Sequence, residues 1–425
     1  MSDTPKIDYE AIALRLSNVF QPAAPINRDE LFRGRIPQVR AVVDAINQPG
    51  RHAIIFGGRG VGKTSLGQTL RARLTTDEPF PVIAPLIACD SSDDYSSIWN
   101  KVFSEIEYLN GDESSETALS PAFESESNPY KNILPEWTPF EVRRKIEPIA
   151  RRGLLYVVLD EFDKIEDPDV RQLVADTIKL FSDRAVPATL IVIGVSDNAT
   201  GLIDDHRSIE RCLAQIPMPR MPRAELEQIV TLGLKKVDME IKENALFEIT
   251  GLSKGLPTYA HLLALHASRY SLDHKTLTVT LEHVKRAIRT AISQTEETIR
   301  TDYDKATYSS RKTLHAHVLL ACAMARTDEF GRFQPNDICG PMKEITGEDY
   351  TSDRFSRHLK EFCNVGRGPV LRRMGGEYRW RYQFHNPLLQ PYVLMKGLDA
   401  GVITEEQLDL NAGEDSRYPL FRQPH

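Results

Sequence analysis

The chain has 425 residues, 41% hydrophobic and 27% charged, which is long enough for two or three folded domains and excludes a disordered chain. No apolar run reaches the roughly 18 residues that cross a bilayer, and the acidic start lacks the features of a signal peptide, so the expectation is a cytoplasmic protein. The net charge of −7 disfavours coating of nucleic acid by the whole surface but permits a local basic face.

Apolar runs that alternate with helical patterns predict a parallel α/β sheet, after a first helix at about residues 8–20. Four runs are short, continuously apolar and bounded by turn residues, as is typical of strands covered on both faces. They are "HAIIF" (52–56), "FPVIAPLIACD" (80–90), "LLYVVLD" (154–160) and "ATLIVIGVSDN" (188–198). Residues 111–129 are acidic, Ser-rich and aperiodic, which predicts a mobile insertion.

The stretch "IFGGRGVGKTSL" (55–66) joins the first strand to a helix and matches the pattern G-x-x-x-x-G-K-[ST]. Glycines allow backbone N–H groups to converge on phosphate oxygens, and the following helix adds its positive N-terminal end. The pattern predicts an ATP site in which Lys63 reaches the β- and γ-phosphates and Thr64 ligates Mg²⁺. The nucleotide-binding residues predicted here are Gly57, Gly58, Arg59, Gly60, Val61, Gly62, Lys63, Thr64 and Ser65.

The run "LLYVVLDEFDK" ends a buried strand with two carboxylates, Asp160 and Glu161. Asp160 is placed to hold the same Mg²⁺, and Glu161 to orient and deprotonate the attacking water. One further strand lies in the chain between the phosphate loop and this one, the order expected of the additional-strand, catalytic-glutamate class of P-loop ATPases. The carboxylate pair favours hydrolysis over nucleotide binding alone.

With these Walker A and Walker B motifs the chain resembles the AAA+ superfamily over roughly residues 31–395. The resemblance is to its initiator-like branch, the origin-recognition and cell-division-cycle ATPases, and to the related STAND switch ATPases. The segment "LFRGRIPQVRAVVDAI" (31–46) is similar to the family's box before the phosphate loop, whose residues flank the adenine. The resemblance therefore implies a nucleotide contact for Arg35.

The resemblance also implies a sensor and an arginine finger. The run "VIGVSDN" is similar to the sensor-1 strand, in which a polar residue contacts the γ-phosphate or the water. Ser196, Asp197 and Asn198 are all candidates, and Ser196 and Asn198 are favoured because an aspartate would repel phosphate unless it faced away. The segment "DDHRSIERCLAQIPMPRM" is similar to the finger segment, with Arg211 the best match and Arg207 the second. A finger acts on a neighbouring subunit's γ-phosphate, which implies a homo-oligomer.

The segment "KGLPTYAH" (254–261) departs from the initiator pattern, because Thr258 stands where initiators carry a sensor-2 arginine. Gly-Leu-Pro at the start of a lid helix is a feature of STAND ATPases, in which the proline, here Pro257, packs near the adenine. A bare helix start is the alternative, since proline suits the first helical turn. The missing arginine favours a slow, assembly-gated switch over a fast motor.

The C-terminal part resembles a winged helix, with "TSDRFSRHLKEFCN" (351–364) as recognition helix and "GPVLRRMGGEYRWRYQF" (368–384) as wing. Residues 351–385 contain eight Lys or Arg against three acids, a local excess that favours contact with a phosphate backbone. Protein docking is the open alternative, because winged helices serve both purposes. The DNA contacts predicted here are Arg354, Arg357, Lys360, Arg372 and Arg373.

The expected organisation is a P-loop core followed by two smaller domains. The predicted segments are an N-terminal lead-in (1–30), the core (31–222), a helical lid (223–300), the winged-helix domain (301–400) and a tail (401–425).

Two functions fit this organisation. The first is an ATP-dependent oligomeric switch that acts with duplex DNA, as an initiator-like protein or a regulator of transposition or genome defence. The second is a protein-triggered STAND sensor, for example in antiviral defence, whose effector is a separate partner chain. A metabolic kinase is disfavoured, since no substrate-binding insertion is evident and the wing would serve no purpose.

Overall fold

The chain forms two compact units, whose described parts come from several separate ranges. The computed structural model describes residues 7–24, 34–77, 81–110, 136–203, 209–309, 313–375 and 380–412. The predicted insertion at 111–129 and the second finger candidate, Arg207, lie outside these residues. The two units are a core unit (26–58 and 63–218) and a lid unit (1–25, 59–62 and 219–425). Within the described ranges, none of the helices has the length and apolar content needed to cross a bilayer.

The core unit is built on a parallel sheet. Its strands are β1 (His52–Gly57), β2 (Val82–Ile83), β3 (Leu86–Ala88), β4 (Leu154–Asp160), β5 (Ala188–Val195) and β6 (Leu213–Pro217). Their order is β2-β4-β5-β1-β6, with β3 also paired to β4, and all these pairings are parallel. Because β5 lies between the strand of the phosphate loop and the strand of Asp160, the predicted additional-strand class of sheet is confirmed.

The sheet differs from the prediction at two places. The strand predicted over 80–90 is divided into β2 and β3, because Pro85 has no N–H to donate to the ladder. Strand β6 was not predicted, since it lies at the sheet edge and only one of its five residues, Ile216, is buried. A strand with so little burial lacks the continuous apolar run that marks β4 and β5.

Helices cover the sheet of the core unit. The helices of this part of the chain are α1 (Tyr9–Val19), which belongs to the lid unit, α2 (Ile36–Ile46), α3 (Lys63–Asp77), α4 (Tyr95–Asn110), α5 (Pro139–Ala150) and α6 (Pro168–Asp183). Strand β4 is buried at six of its seven residues and β5 at seven of eight. Because successive side chains of a strand point to opposite faces, such burial requires cover on both faces of the sheet.

The lid unit continues with helices, as the sequence pattern predicted. They are α7 (Arg223–Lys235), α8 (Glu243–Ser253), α9 (Pro257–Asp273), α10 (Leu281–Gln294) and α11 (Glu297–Thr307). A short parallel pair, β7 (Glu240–Ile241) and β8 (Thr278–Val279), is an addition to the helical pattern. The turn from α8 to α9 needs left-handed backbone at Lys254 and Gly255, after which Pro257 starts the next helix.

The C-terminal part of the lid unit combines helices with a small antiparallel sheet. Its elements are α12 (His315–Met324), β9 (Arg332–Phe333), α13 (Cys339–Thr346), α14 (Ser356–Phe362), β10 (Leu371–Met374), β11 (Arg381–Phe384), α15 (Leu389–Asp399) and α16 (Glu405–Ala412). The sheet order β10-β11-β9 is compatible with the predicted winged helix, in which β10 and β11 form the wing. Helix α15 is buried along most of its length and packs on α12 and α10.

Candidate nucleotide site

The loop after β1 has the backbone that a phosphate-binding loop requires. A Cβ atom on Gly57 would lie 2.4 Å from the backbone oxygen of Met218, so no larger residue fits there without a shift of the chain. Gly62 has a φ of +94°, in the region that residues with a side chain rarely adopt. The turn that these glycines shape leads directly into the N-terminus of α3, whose partial positive charge suits an anionic phosphate.

Lys63 follows this turn and is only 8% exposed. Its ammonium donates hydrogen bonds to the backbone oxygens of Gly57 at 3.1 Å and Gly58 at 2.8 Å. A buried ammonium is costly without anionic or hydrogen-bonding partners, and the loop oxygens supply such partners. The residues present therefore fit a nucleotide phosphate, with the ammonium held at the mouth of the loop.

The tip of the loop, residues 59–62, belongs to the lid unit. There Arg59 forms an ion pair with Glu296 at 3.7 Å. A Cβ atom on Gly60 would lie 2.9 Å from Leu388 Cδ2 and 3.9 Å from Leu256 Cδ2. Leu256 directly precedes Pro257, which starts α9.

Thr64 and Asp160 come together as the predicted metal ligands require. Asp160 ends β4, is 4% exposed, and its carboxyl is hydrogen-bonded to the Thr64 side chain and to the N–H of Glu161. Burial raises the pKa of the Asp160 carboxyl, and these hydrogen bonds act in the opposite direction. A hydroxyl and a buried carboxylate oxygen are ligands that Mg²⁺ accepts, so this pair could hold the cation of a bound nucleotide.

Glu161 lies on a tight turn at the carboxyl end of β4. Its φ is +55°, an uncommon value for a residue with a side chain, and its side chain is 49% exposed. Its Oε2 accepts a hydrogen bond from Lys164 Nζ at 2.6 Å. Sequence reasoning missed Lys164, although "DEFDK" places a basic residue three positions after the glutamate, within reach in a helical turn.

Asp163, which the sequence analysis also did not predict, links this turn to the end of β5. Its Oδ1 accepts the N–H of Val195 at 2.8 Å, and a Cβ atom on Gly194 would lie 3.0 Å from that oxygen. The signal available in the sequence was a third acid in the turn after the apolar strand. This bond fixes the end of β5 relative to Glu161.

The two sensor candidates form a closed turn directly after β5. Ser196 Oγ donates to the backbone oxygen of Asn198 at 2.7 Å. The Asn198 side-chain oxygen accepts from Gly201 N at 2.9 Å and from Thr200 Oγ1 at 3.0 Å, so Asn198 caps the short helical turn that follows. Its amide N–H groups are the donors that it could offer to a phosphate.

Arg35 precedes α2, where it adopts a left-handed backbone with a φ of +59° and is 2% exposed. A buried guanidinium keeps its charge at neutral pH, so its environment must satisfy it. Arg35 is therefore a buried cation of the core unit, and it belongs to the segment predicted to flank the adenine.

Arg211 lies at the amino ends of the strands, whereas the phosphate loop follows the carboxyl end of β1. It precedes β6, which pairs with β1 from His52–Leu213 to Phe56–Pro217, so roughly 13 Å of strand separates the start of β6 from the loop. Its guanidinium is 74% exposed and pairs with Asp183 at 2.8 Å. Both residues line an open cavity of about 510 Å³. This position cannot serve the chain's own phosphate loop.

The recognition helix predicted over 351–364 is shorter in the structure, and the predicted DNA contacts divide between three elements. Arg354 lies in the short helical turn Ser352–Phe355, Arg357 and Lys360 lie on α14, and Arg372 and Arg373 lie on β10. Arg354, Arg357 and Lys360 are all exposed, and Arg357 pairs with Glu361 at 2.8 Å. Arg372 and Arg373 are neighbours on β10, so their side chains leave opposite faces of the sheet.

The two wing arginines differ in exposure accordingly. Arg372 is half-buried and donates to the buried Gln383 side chain at 2.7 Å. Arg373 is exposed and lies over the Trp380 ring, with its Cζ 3.9 Å from the ring centroid.

Comparison with solved structures gives remote similarities that span most of the chain. A Walker-type ATPase of Pyrococcus abyssi is 16% identical with a TM-score of 0.49, and 87% of this chain and 98% of that chain are covered. The ORC2 protein of Aeropyrum pernix is 12% identical with a TM-score of 0.47, over 90% and 98% of the two chains. Cdc6p of Pyrobaculum aerophilum is 13% identical with a TM-score of 0.46, over 91% and 99%.

Comparison by sequence is more specific. No curated protein sequence matches the chain. The family model described as "Novel STAND NTPase 1" matches residues 25–329, which is more than two thirds of the chain and includes the phosphate loop, Asp160 and Glu161. The predicted resemblance to STAND P-loop ATPases is confirmed, and the chain belongs to the family of novel STAND NTPases 1.

Proposed function

We propose that the protein binds ATP with Mg²⁺ and hydrolyses it to ADP and phosphate. The observation that supports this most strongly is the arrangement of Lys63, Thr64, Asp160 and Glu161 at the carboxyl ends of β1 and β4, with Thr64 hydrogen-bonded to Asp160. The carboxyl ends of parallel strands are where open α/β sheets bind their ligands. Nucleotide binding alone would not need a second carboxylate beside the metal ligand.

Each residue then has a defined task. The Lys63 ammonium and the loop N–H groups hold the phosphates, and Thr64 with Asp160 holds the cation, which supplies positive charge to the phosphate oxygens. Glu161 accepts a proton from water, for which an exposed carboxylate at the strand end is well placed. Ser196 or Asn198 supplies a hydrogen-bond donor from the end of β5.

The ATPase acts in a homo-oligomer and is slow. Arg211 lies too far from its own loop to contribute there, and its exposed guanidinium is available to the loop of another copy. An arginine supplied from a neighbour stabilises charge in the transition state only when the copies are assembled. Hydrolysis is therefore gated by assembly, and the bound nucleotide sets the oligomeric state.

The favoured partner of the assembled protein is duplex DNA. Arg354, Arg357 and Lys360 present exposed basic side chains at helical spacing, and Arg373 adds one from the wing strand. The excess of basic residues in 351–385 contrasts with the acidic chain as a whole.

A protein trigger is the second candidate, and one observation supports it. Val365 is 86% exposed and Tyr308 is 76% exposed in the same part of the lid unit. The two segments are joined by Arg367, whose Nη1 donates to the backbone oxygen of Tyr308 at 2.8 Å. Exposed apolar side chains on two linked segments favour contact with protein, as in a sensor, for example in antiviral defence, whose effector is a separate chain.

Two substitutions test the ATPase. Lys63→Ala removes the buried ammonium and is expected to abolish ATP binding, measured by calorimetry. Glu161→Gln keeps the side-chain shape and is expected to retain ATP binding while hydrolysis falls at least about a hundredfold, the range of a lost general base. Hydrolysis by Lys63→Ala at the wild-type rate would overturn the site.

A pair of matched double variants tests the DNA contact. Arg357→Ala with Lys360→Ala is expected to weaken duplex binding and to reduce the slope of log affinity against log salt by about two. Arg152→Ala with Arg184→Ala removes the same charge from exposed positions of the core unit and is expected to leave that slope unchanged. Equal behaviour of the two variants would favour the protein-triggered sensor.

A further inference from the structure

Lys164 makes the one direct contact that the structure gives to the Glu161 carboxylate within the described part of the chain. Lys164 Nζ lies 2.6 Å from Glu161 Oε2, and the two side chains are 48% and 49% exposed. They are joined through one short helical turn, Phe162–Lys164, whose first residue follows the left-handed Glu161. The ammonium therefore occupies one oxygen of the group proposed to receive the proton of the attacking water.

The other two carboxylates near Lys164 already have hydrogen-bonding partners. Asp163 already accepts the N–H of Val195. Asp90, which follows β3, is hydrogen-bonded by Ser92 and by Lys101 Nζ at 3.0 Å. Among the described residues, Lys164 is the one hydrogen-bonding partner that the structure gives to the Glu161 carboxylate.

We propose that Lys164 is a positioning residue that restrains the Glu161 carboxylate and so holds the basal rate of hydrolysis down. The inference rests on the proposed ATPase function and concerns the control of that same site. An ion pair between exposed groups is weak, so the restraint is reversible and slows hydrolysis without abolishing it. It acts on the glutamate alone, since Lys63 and Thr64 bind through other groups.

The first part of the test compares two variants at Lys164. Lys164→Met removes the charge and keeps most of the side-chain length, and it is expected to raise kcat about two- to fivefold, the range that a surface ion pair allows. KM for ATP and the affinity for ADP by calorimetry are expected to stay unchanged. Lys164→Arg keeps the charge and is expected to retain the slow rate.

A double variant separates restraint from a general effect of charge. In the Glu161→Gln background the carboxylate is absent, so Lys164→Met is expected to change the residual rate by less than the single substitution does. An equal acceleration in both backgrounds would mean that the ammonium acts on something other than Glu161, and would overturn the inference.

The remaining outcomes are distinct. A fall in kcat for Lys164→Met would show that the lysine assists the glutamate, which overturns the inference and leaves the ATPase proposal intact. Wild-type hydrolysis no faster than that of Lys63→Ala would overturn the proposed function, and the inference with it.

Discussion

Asp163 and Val195 are joined by a hydrogen bond of 2.8 Å from the backbone N–H of Val195 to the Asp163 carboxylate. The bond links the turn after β4 to the last residue of β5. Glu161 lies two residues before one partner, and Ser196 lies one residue after the other. The bond therefore keeps the candidate base and the sensor loop in a fixed relation, although neither of its own partners is proposed to touch the nucleotide.

Replacement of Asp163 tests this link. Asp163→Ala leaves the Val195 N–H without its partner, and we expect kcat to fall while ATP affinity stays near the wild-type value, because Lys63 and the loop are untouched. The free energy of unfolding is expected to fall by about 1.5–3 kcal/mol, the cost of losing a hydrogen bond to a charged group. Steady-state kinetics and urea denaturation measure the two effects.

Asp163→Asn is the matched control for that substitution. Its side-chain oxygen can still accept the Val195 N–H, so kcat is expected to be recovered in large part. A variant Asp163→Ala with unchanged kcat would remove the link between the turn and the sensor strand from the mechanism.

The close approach at Gly57 gives a second prediction. Gly57→Ala places a methyl group 2.4 Å from the Met218 backbone oxygen, so the loop must shift, and we expect loss of ATP binding with a destabilisation of about 1–3 kcal/mol. Gly251→Ala is the control, since its Cβ meets nothing within 4 Å inside α8, and alanine is expected to stabilise by up to about 1 kcal/mol. Calorimetry and thermal unfolding distinguish the two, and normal ATP binding by Gly57→Ala would contradict the prediction.

The buried His52 predicts a loss of stability in mild acid. Burial lowers the pKa of His52 to about 4, against a hydrogen bond with the Ile178 backbone that raises it, and the ring accepts the N–H of Leu190 at 3.0 Å. In the unfolded chain His52 has its ordinary pKa of about 6.5, so the unfolded state binds the proton first as the pH falls. Stability is therefore lost between pH 6.5 and about 4, at about 1.4 kcal/mol per pH unit.

His52→Asn tests this source of acid sensitivity. Asparagine keeps a hydrogen-bond acceptor in place of the ring nitrogen and does not titrate. We expect the variant to be less stable at pH 7 because a cavity forms, yet to lose stability less steeply between pH 6.5 and 4. Parallel stability curves for the two proteins, measured by urea denaturation, would show that His52 is not the titrating group.

Arg211 predicts complementation between inactive variants. Arg211→Ala and Glu161→Gln are each expected to hydrolyse ATP at least about a hundredfold more slowly than the wild type, the first for lack of a finger and the second for lack of a base. Mixed in equal amounts, they are expected to recover about a quarter of the wild-type rate, since a quarter of random pairings place an intact Arg211 beside an intact Glu161.

Asp183→Asn serves as the control for Arg211, because it removes the paired charge and keeps the arginine. This variant is expected to remain active. If the mixture of Arg211→Ala and Glu161→Gln stays inactive while each still assembles, the finger is not supplied by a neighbour.

The sequence predicted the fold well where side chains repeat a strong pattern. Strand β4 has the bounds predicted for it, and β5 ends three residues before the predicted run does. Both are buried on two faces, so their composition is continuously apolar. Strand β6 lacks that signal because an edge strand buries little, and its pairing with β1 depends on residues distant in the chain.

In the candidate site, too, the sequence predicted the residues that belong to a local pattern and missed those that depend on tertiary contacts. The phosphate loop and the carboxylates of β4 could be named as candidates from the sequence because their proposed chemistry requires fixed spacings in the chain. The bond from Val195 to Asp163 joins residues 32 positions apart, and no rule of sequence spacing predicts it. The pairing of Arg211 with Asp183 is likewise tertiary, and the sequence could place the arginine only through a family resemblance.

The most direct test of the proposed switch is the affinity of Glu161→Gln for duplex DNA, measured by fluorescence anisotropy in ATP and in ADP across a salt series. We expect tight binding in ATP, weak binding in ADP, and a steep loss of affinity with salt, because ATP drives assembly and assembly presents several basic faces at once. Absence of binding in both nucleotides, from a variant shown to bind ATP, would contradict the proposal and favour a switch triggered by protein.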